Sequence, residues 1–248
     1  MSAAALEVSA LAKVFGGLAA VNGVELTVPA GERRVLIGPN GAGKTTLFHC
    51  ITGTLAPSSG TIALFGRDVT RLPEHRRTAL GMGRTFQITN VFPELTMAEN
   101  LALAILGTDR RKWVMHRSLA AFAAVRRQAL EGLERVGLAG RADEPVKRVS
   151  YGERRQLELA LALNTSPKVL FLDEPCAGLS PAERQRISRM IAGLPRDITL
   201  LMIEHDMDVA LGLADRVTVL HQGRVILEGT PDEVRANSEV RDVYFGHA

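Results

Sequence analysis

The residues best suited to chemistry in this sequence form a loop that could bind phosphate groups. Residues 38–45 fit the pattern G-x-x-x-x-G-K-[ST], after an apolar run typical of a buried strand and before a stretch typical of a helix. The loop consists of Gly38, Pro39, Asn40, Gly41, Ala42, Gly43, Lys44 and Thr45, and Thr46 follows it in the same predicted site. Backbone N–H groups can surround phosphates here, Lys44 can reach the β- and γ-phosphates, and Thr45 can bind Mg²⁺. The pattern predicts a nucleoside triphosphate ligand and leaves a kinase, an ATPase and a GTPase open.

Two further apolar runs end in residues that titrate. Residues 169–172 lead into Asp173 and Glu174. Residues 199–203 lead into Glu204 and then His205. Carboxyl ends of parallel strands meet at the edge where open α/β sheets bind ligands, so these side chains should lie near the phosphate loop. Asp173 is predicted to hold Mg²⁺ or its water, Glu174 to orient and polarise an attacking water, and His205 to donate a hydrogen bond to the γ-phosphate. The plain alternatives are an acidic turn and a solvated histidine.

The strands that would position these residues are visible in the hydrophobic pattern. Branched apolar runs at residues 35–37, 169–172 and 199–203 alternate with helix-length stretches, which predicts a parallel sheet covered on both faces. More amphiphilic runs, bounded by Gly and Pro, predict a smaller antiparallel β layer; they are residues 6–11, 24–28 and 61–65. Residues 217–220 and 224–227 flank a short His-Gln-Gly connection and predict a hairpin.

A helical segment interrupts this alternation. From residue 92 to residue 163 the strand pattern is absent, and apolar residues recur at intervals of three, four and their multiples, as on one helical face. These residues are Leu119, Phe122, Leu130, Leu133 and Val136. We therefore predict one domain over residues 1–248 that contains a helical subdomain over about residues 88–165.

Bulk properties narrow the classes of protein. A chain of 248 residues with net charge +3 and scattered basic pairs indicates one catalytic unit and does not require a nucleic-acid partner. Apolar runs stay below the roughly 18 residues of a membrane-spanning helix, which predicts a cytosolic protein unless another subunit holds it at a membrane. Cys50 and Cys176 lack metal-ligand spacing and are predicted to be reduced structural thiols.

One further motif carries a family resemblance. Residues 149–156, Val-Ser-Tyr-Gly-Glu-Arg-Arg-Gln, resemble the signature motif of ABC ATPases and lie upstream of the acidic strand, as that motif does in the family. A Ser and a Gly beside a helix predicted over residues 154–163 can form an anion site from a hydroxyl and backbone N–H groups. The resemblance implies that Ser150, Gly152 and Glu153 contact the ATP bound by an opposite subunit. A plain helix N-cap is the alternative.

The resemblance covers residue 6 to the C-terminus and implies further roles. Phe15 looks like the aromatic residue that stacks on adenine, and Gln87 looks like the Q-loop glutamine. His205 looks like the switch histidine, and residues 177–180 occupy the position of the D-loop, which crosses the dimer interface. The implied fold is α/β, a P-loop NTPase core with a mostly parallel sheet, an N-terminal antiparallel β subdomain and a helical subdomain inserted before the signature motif. The implied catalytic set is Glu174, His205, Gln87 and Lys44, with ATP as ligand and Mg²⁺ held by Thr45, Gln87 and Asp173.

Four residues depart from the commonest form of these motifs. Val149, Tyr151 and Glu153 stand where Leu, Gly and Gln are common, and Ser180 stands where Asp is common. Ser150, Gly152 and Glu174 are present, so hydrolysis is expected to survive.

Within the family the chain is most similar to the branched-chain amino acid uptake group. The similar stretches are residues 84–87, 92–96, 99–100, 176–181, 203–207 and 243–246. This implies uptake of branched-chain amino acids or a related small solute through separate integral membrane permeases, with a solute-binding protein acting indirectly. It also implies a second ABC ATPase subunit, identical or related, and a location at the cytoplasmic face of the plasma membrane. Relatives that carry urea, amides or aromatic acids, or that export lipopolysaccharide, share much of the pattern.

Three other functions compete with transport. A soluble ABC ATPase of translation, chromosome maintenance or iron–sulfur assembly would carry the same motor motifs. A regulatory subunit could clamp on ATP with negligible turnover, although Lys44, Glu174 and His205 are all present. A small-molecule kinase would share the phosphate loop, but it would not explain the signature motif.

Overall fold

The computed structural model describes residues 3–85, 91–108 and 123–245. Gln87, Leu119 and Phe122, which the sequence singled out, lie outside these ranges. The chain divides into two compact units. The first consists of Met1–Met82, Lys168–Glu174 and Ile191–Ala248, and the second consists of Gly83–Pro167 and Pro175–Met190.

The elements are numbered here in chain order. The strands are β1 (Ala4–Phe15), β2 (Leu18–Pro29), β3 (Arg33–Ile37), β4 (Ser59–Leu64), β5 (Arg67–Asp68), β6 (Met82–Arg84), β7 (Val169–Asp173), β8 (Thr199–Ile203), β9 (Arg216–His221) and β10 (Arg224–Gly229). The helices are α1 (Lys44–Thr52), α2 (Glu74–Thr78), α3 (Met97–Thr108), α4 (Ala123–Arg135), α5 (Tyr151–Asn164), α6 (Pro181–Ala192), α7 (Met207–Leu213), α8 (Pro231–Ala236) and α9 (Ser238–Phe245).

The described strands form the two sheets that the hydrophobic pattern predicts. One sheet has the order β2-β1-β4-β5, and its neighbouring strands are antiparallel. The other has the order β10-β9-β3-β8-β7-β6; β9, β3, β8 and β7 are mutually parallel, and β10 pairs antiparallel with β9. The predicted parallel sheet, antiparallel layer and C-terminal hairpin are confirmed. The hairpin turn is shorter than expected, because His221 belongs to β9 and only two residues connect the strands.

The core of the first unit explains why the parallel strands are continuous apolar runs. Every residue of β3, β7 and β8 is buried, as expected for strands covered on both faces. Beneath the phosphate loop, Phe48 of α1 meets Phe171 of β7 edge to face, with ring centroids 5.4 Å apart. Parallel pairing of β3 with β8 and of β8 with β7 brings the carboxyl ends of these strands to one edge of the sheet.

The second unit has a helical core, as the apolar spacing predicts. Leu133 and Val136 are buried in a cluster with residues of α3 and α5, and Leu130 packs against it. Gln156 ties α5 to the end of α4, because its Nε2 donates to the carbonyl of Val136 at 2.7 Å. Helix α5 starts at residue 151, three residues earlier than predicted, because Ser150 and Glu153 form a capping box.

A buried arginine joins α1 to the chain that follows it. The Arg77 side chain is among the largest fully buried ones, at 1% exposure. Its guanidinium donates to the carbonyls of Cys50 and Ile51 at the last turn of α1, and to those of Thr70 and Leu72. Burial lowers the pKa of Arg77, with opposing contributions from Cys50 and Asp68. Arg77 therefore satisfies helix-end carbonyls that would otherwise be buried without donors.

We predict that Arg77→Ala lowers the free energy of unfolding by about 3 kcal/mol, because several buried carbonyls lose a charged donor together. Urea denaturation followed by circular dichroism measures this. Arg76→Ala is the matched control, since Arg76 is exposed on the same short helix and surface substitutions usually stay within about 0.5 kcal/mol. Equal losses in the two variants would contradict this role.

Candidate functional site

The phosphate loop is shaped by close approaches that exclude side chains. It connects β3 to α1, and Gly38, Gly41 and Gly43 have φ values of 151°, 79° and 99°. A Cβ at Gly38 would lie 2.2 Å from the Leu220 carbonyl oxygen, and one at Gly43 would lie 2.2 Å from that of Ala20. Glycine is required at both positions, and Gly43 as N-cap leaves the first N–H groups of α1 facing the loop.

The Lys44 side chain lies against the backbone of the phosphate loop. Its Nζ donates to the carbonyls of Gly38 at 2.6 Å and Pro39 at 3.0 Å, and the residue is only 7% exposed. Burial lowers the pKa of Lys44, whereas the nearby carboxylates of Glu174 and Asp173 raise it. The cation is thus placed between the loop and the acidic end of β7, where it can contact phosphate oxygens.

The loop has supports that sequence reasoning missed. The Gly223 amide, in the β9–β10 turn, donates to the Ala42 carbonyl at 2.9 Å, and the Asn22 amide donates to the Gly223 carbonyl at 2.8 Å. The hairpin was predicted, but its contact with the loop was not. At the C-terminal helix, burial raises the pKa of Tyr244 to about 12, and the Gly38 backbone opposes that rise. The sequence predicted only that a short His-Gln-Gly segment connects the two strands of the hairpin.

The structure brings Glu174 and His205 together after β7 and β8, strands whose ends the sequence placed at the same edge of the sheet. Asp173 is 1% exposed and pairs with Ile203 across the sheet, so β7 and β8 end at the same level. The Glu174 side chain lies with its Oε2 3.8 Å from the Nδ1 of His205. Glu174 has φ of 47°, in the left-handed region, while its amide donates to the Ile203 carbonyl at 3.0 Å. Such a backbone is costly for a non-glycine residue and persists where its surroundings hold it, often at functional sites.

The donor set near the loop suits a magnesium ion. Thr45 offers a hydroxyl and Asp173 a carboxylate, the hard oxygen ligands that Mg²⁺ prefers. Asp173 lies close enough to Lys44 to affect its pKa, which places the carboxylate beside the loop. Among residues 3–85, 91–108 and 123–245, no cluster of three or more His, Cys, Asp or Glu could hold a metal.

In the second unit, the predicted anion site lies at the first turn of α5. The Glu153 amide donates to the Ser150 hydroxyl at 3.2 Å, and the Ser150 amide donates to Glu153 Oε2 at 2.8 Å. A Cβ at Gly152 would lie 2.3 Å from Glu183 Oε1, so a side chain at this position would displace the Glu183 carboxylate. A shallow cavity adjoins the turn, lined by Ser150, Gly152, Glu153, Gln156, Glu183, Arg186 and Ile187.

Ser180, a departure from the family pattern, has a local explanation. Its amide and hydroxyl donate to Glu183 Oε2 at 3.0 and 2.6 Å. Hydrogen bonds from the Ser180 hydroxyl and amide, and a weaker one from the Gly152 amide, lower the pKa of Glu183. The Glu183 amide donates in return to the Ser180 hydroxyl at 3.4 Å, so the two residues form reciprocal hydrogen bonds at the start of α6.

Tyr151 is also accounted for by its neighbours. Arg155 donates to the Tyr151 hydroxyl at 2.7 Å, and its guanidinium lies 5.1 Å from the ring centroid. A Cβ at Gly178 would be 3.4 Å from the Tyr151 ring, so the ring packs next to Gly178. The aromatic residue thus connects the signature turn to the loop before α6.

Phe15 lies at the end of β1 with its ring 47% exposed. The Lys13 ammonium is 5.1 Å from the ring centroid. An exposed aromatic face beside a cation is suited to stacking on a planar group, and adenine is the predicted one.

Comparisons with known proteins supply the family. The profile described as ABC transporter matches residues 21–177, and the profile described as branched-chain amino acid ATP-binding cassette transporter matches residues 224–248. The chain is 41% identical to the high-affinity branched-chain amino acid transport ATP-binding protein BraF of Pseudomonas aeruginosa, over all of both chains. It is equally similar to LivG of Salmonella typhimurium, again over all of both chains. The crystal structure of the ADP conformation of MJ1267, an ATP-binding cassette of an ABC transporter, superposes with a TM-score of 0.88 at 29% identity, covering 98% of this chain and 99% of that one.

We predict that two substitutions in the first unit affect different steps, one ATP hydrolysis and the other ATP binding. Glu174→Gln should bind ATP like the wild type and lose almost all phosphate release, because the amide no longer polarises water. Lys44→Ala should bind ATP about 10- to 100-fold more weakly, because a charged donor to the phosphates is lost. Titration with a fluorescent ATP analogue and a phosphate-release assay separate these effects.

Lys168→Ala is the matched control for the lysine substitution, since Lys168 is exposed and precedes β7 at the other end of that strand. Unchanged turnover in Glu174→Gln would exclude Glu174 as the residue that activates water. Wild-type affinity in Lys44→Ala would contradict the phosphate loop.

Proposed function

Because this chain belongs to the ABC transporter ATP-binding family, we propose that it powers uptake of branched-chain amino acids, or a related small solute, through separate membrane permeases. One observation carries the ATPase chemistry: Lys44, Glu174 and His205 are brought to one edge of the parallel sheet. The solute is supported by the branched-chain transport names of BraF and LivG. The match of residues 224–248 to the branched-chain profile supports it as well.

The proposed chemistry follows from the charges and donors at this edge. Loop amides and Lys44 bind the β- and γ-phosphates of ATP, with Phe15 against the adenine. Glu174 orients and polarises the attacking water, and His205 donates a hydrogen bond to the γ-phosphate. Mg²⁺, when bound, would neutralise developing phosphate charge, held by Thr45 and Asp173. Gln87, the third proposed ligand and a proposed catalytic residue, lies outside the described ranges.

The second unit supplies the other half of each ATP site in this proposal. Ser150, Gly152 and Glu153 of one subunit face the ATP bound at residues 38–45 of another. The N-terminus of the 14-residue helix α5 carries positive potential, which favours an anion there. The partner is a second copy of this chain or a related ATPase subunit.

A transport function also implies a cellular location and partner proteins. ATPase subunits of ABC transporters act with membrane permeases, and we place this one at the cytoplasmic face of the plasma membrane, with a solute-binding protein acting indirectly. Within the described ranges, none of the helices is both long enough and apolar enough to cross a bilayer. Attachment through permease subunits would account for a membrane location.

We predict that two inactive variants restore each other when mixed. A Ser150→Ala subunit keeps its phosphate loop, and a Lys44→Ala subunit keeps its signature turn, so a mixed dimer contains one intact composite site. Random pairing should restore about a quarter of the wild-type rate of phosphate release, since half of the dimers are mixed and each has one working site of two. A mixture as inactive as either parent, over a range of protein concentrations, would argue against a site shared between subunits.

The transport function is tested by recovering the tagged chain from gently solubilised membranes and identifying its partners by mass spectrometry. We expect multi-span permeases and a second ATPase. In cells lacking the chain, uptake of labelled leucine should return with the wild type and not with Glu174→Gln. Recovery of soluble partners alone would support a non-transport ABC ATPase instead. Permeases recovered without any effect on leucine uptake would retain the transporter and reject this solute.

A further inference from the structure

Glu153 places a carboxylate in the turn that is proposed to receive a polyphosphate. It is the third residue of α5, one position after Gly152 and three after Ser150. Its Oε2 accepts the Ser150 amide and closes the capping box. A glutamine carbonyl oxygen would make the same hydrogen bond without a charge. The helix cap therefore does not require the negative charge, which would oppose an approaching anion.

The second oxygen of this carboxylate is bound by a cation. Arg141 Nη1 lies 2.8 Å from Glu153 Oε1. Arg141 ends the short 3-10 turn Ala139–Arg141, which follows α4 and precedes the signature turn. The two oxygens thus have separate partners, the Ser150 amide on one and Arg141 on the other. This holds the carboxylate in one orientation beside the anion site.

The solvent exposure of the Arg141–Glu153 pair indicates that it affects ligand binding more than the stability of the fold. The Glu153 side chain is 17% exposed and that of Arg141 is 44% exposed. A pair this open to solvent contributes little to the stability of the fold. A guanidinium has five N–H donors and stays charged, so Arg141 can neutralise Glu153 while keeping donors for solvent or phosphate oxygens.

We infer that Arg141 is a positioning residue of the shared nucleotide site: it cancels the charge of Glu153 and fixes that side chain in the capping box, so that the signature turn can accept the triphosphate held by the opposite subunit. This rests on the proposed function, because the signature turn must meet ATP bound elsewhere. Arg186 and Glu183 line the same cavity and carry opposite charges. Because these two charges offset each other, we expect neutralisation of the Glu153 charge to depend on Arg141.

The test uses the full chain carrying Glu174→Gln, in which ATP should persist and hold the dimer together. Analytical ultracentrifugation at low salt gives the ATP concentration at half-dimerisation for this parent and for three further variants: Arg141→Ala, Arg141→Ala with Glu153→Gln, and Arg126→Ala. Arg126 is the matched control, because its pair with Asp143 is an exposed ion pair in the same unit. ATP binding to the monomer is measured at low protein concentration for each.

Arg141→Ala should raise the half-dimerisation concentration of ATP about tenfold, because one uncompensated charge then faces the triphosphate. Glu153→Gln in the same chain should restore the parent value, and Arg126→Ala should not change it. The Arg141 effect should shrink in high salt, since exposed charges are screened. Monomer affinity for ATP should be the same throughout, because the phosphate loop is intact.

Two results would overturn the inference. One is an Arg141→Ala midpoint equal to that of the parent, and the other is a double variant as weak as Arg141→Ala alone, which would mean a structural contact and not charge cancellation. A parent that binds ATP but never dimerises would instead reject the site shared between subunits, and the inference with it.

Discussion

The structure depends on how closely the backbone packs around the phosphate loop. At Gly38 and Gly43 a Cβ would lie 2.2 Å from carbonyl oxygens of β9 and β2. The loop can turn its amides toward an anion only while those strands hold it from outside. The hairpin turn at Gly223 completes this support by hydrogen bonding to Ala42. Both sheets of the first unit are therefore parts of the phosphate site as well as parts of the core.

Charge at the sheet edge is arranged around one buried cation. Lys44 is satisfied by loop carbonyls and lies near Asp173 and Glu174, which oppose the lowering of its pKa by burial. This is possible because the register of β7 against β8 brings the ends of both strands to the same level. Glu174 then leaves the strand with a left-handed backbone, and its carboxylate lies toward His205. Asp173 is therefore buried at the end of β7, whereas the Glu174 carboxylate lies beside His205.

In the second unit, three of the four departures from the commonest motif, Tyr151, Glu153 and Ser180, each make a side-chain contact with a neighbour. Arg155 packs on Tyr151, Glu183 shares the cap with Ser180, and Arg141 binds Glu153. A hydrogen bond from the Gly152 amide to Glu183 links the first turns of α5 and α6. The residues of these motifs are therefore held by side-chain contacts within the second unit as well as by their order in the sequence.

The sequence by itself determined the phosphate loop, the acidic strand end, the histidine after β8 and the alternation of strands and helices. These features can be predicted from the sequence because motif spacing, apolar runs and helix-capping residues are patterns of residues near one another in the chain. Helix α5 begins three residues before its predicted start. The capping box of Ser150 and Glu153 stabilises a first turn that contains Gly152, a residue that usually disfavours helix. Only the tertiary structure showed Ala20 and Gly223 against the loop, Arg77 on the end of α1 and Arg141 on Glu153. Such contacts join residues far apart in the chain, and no local preference specifies which distant carbonyl or carboxylate a side chain will meet.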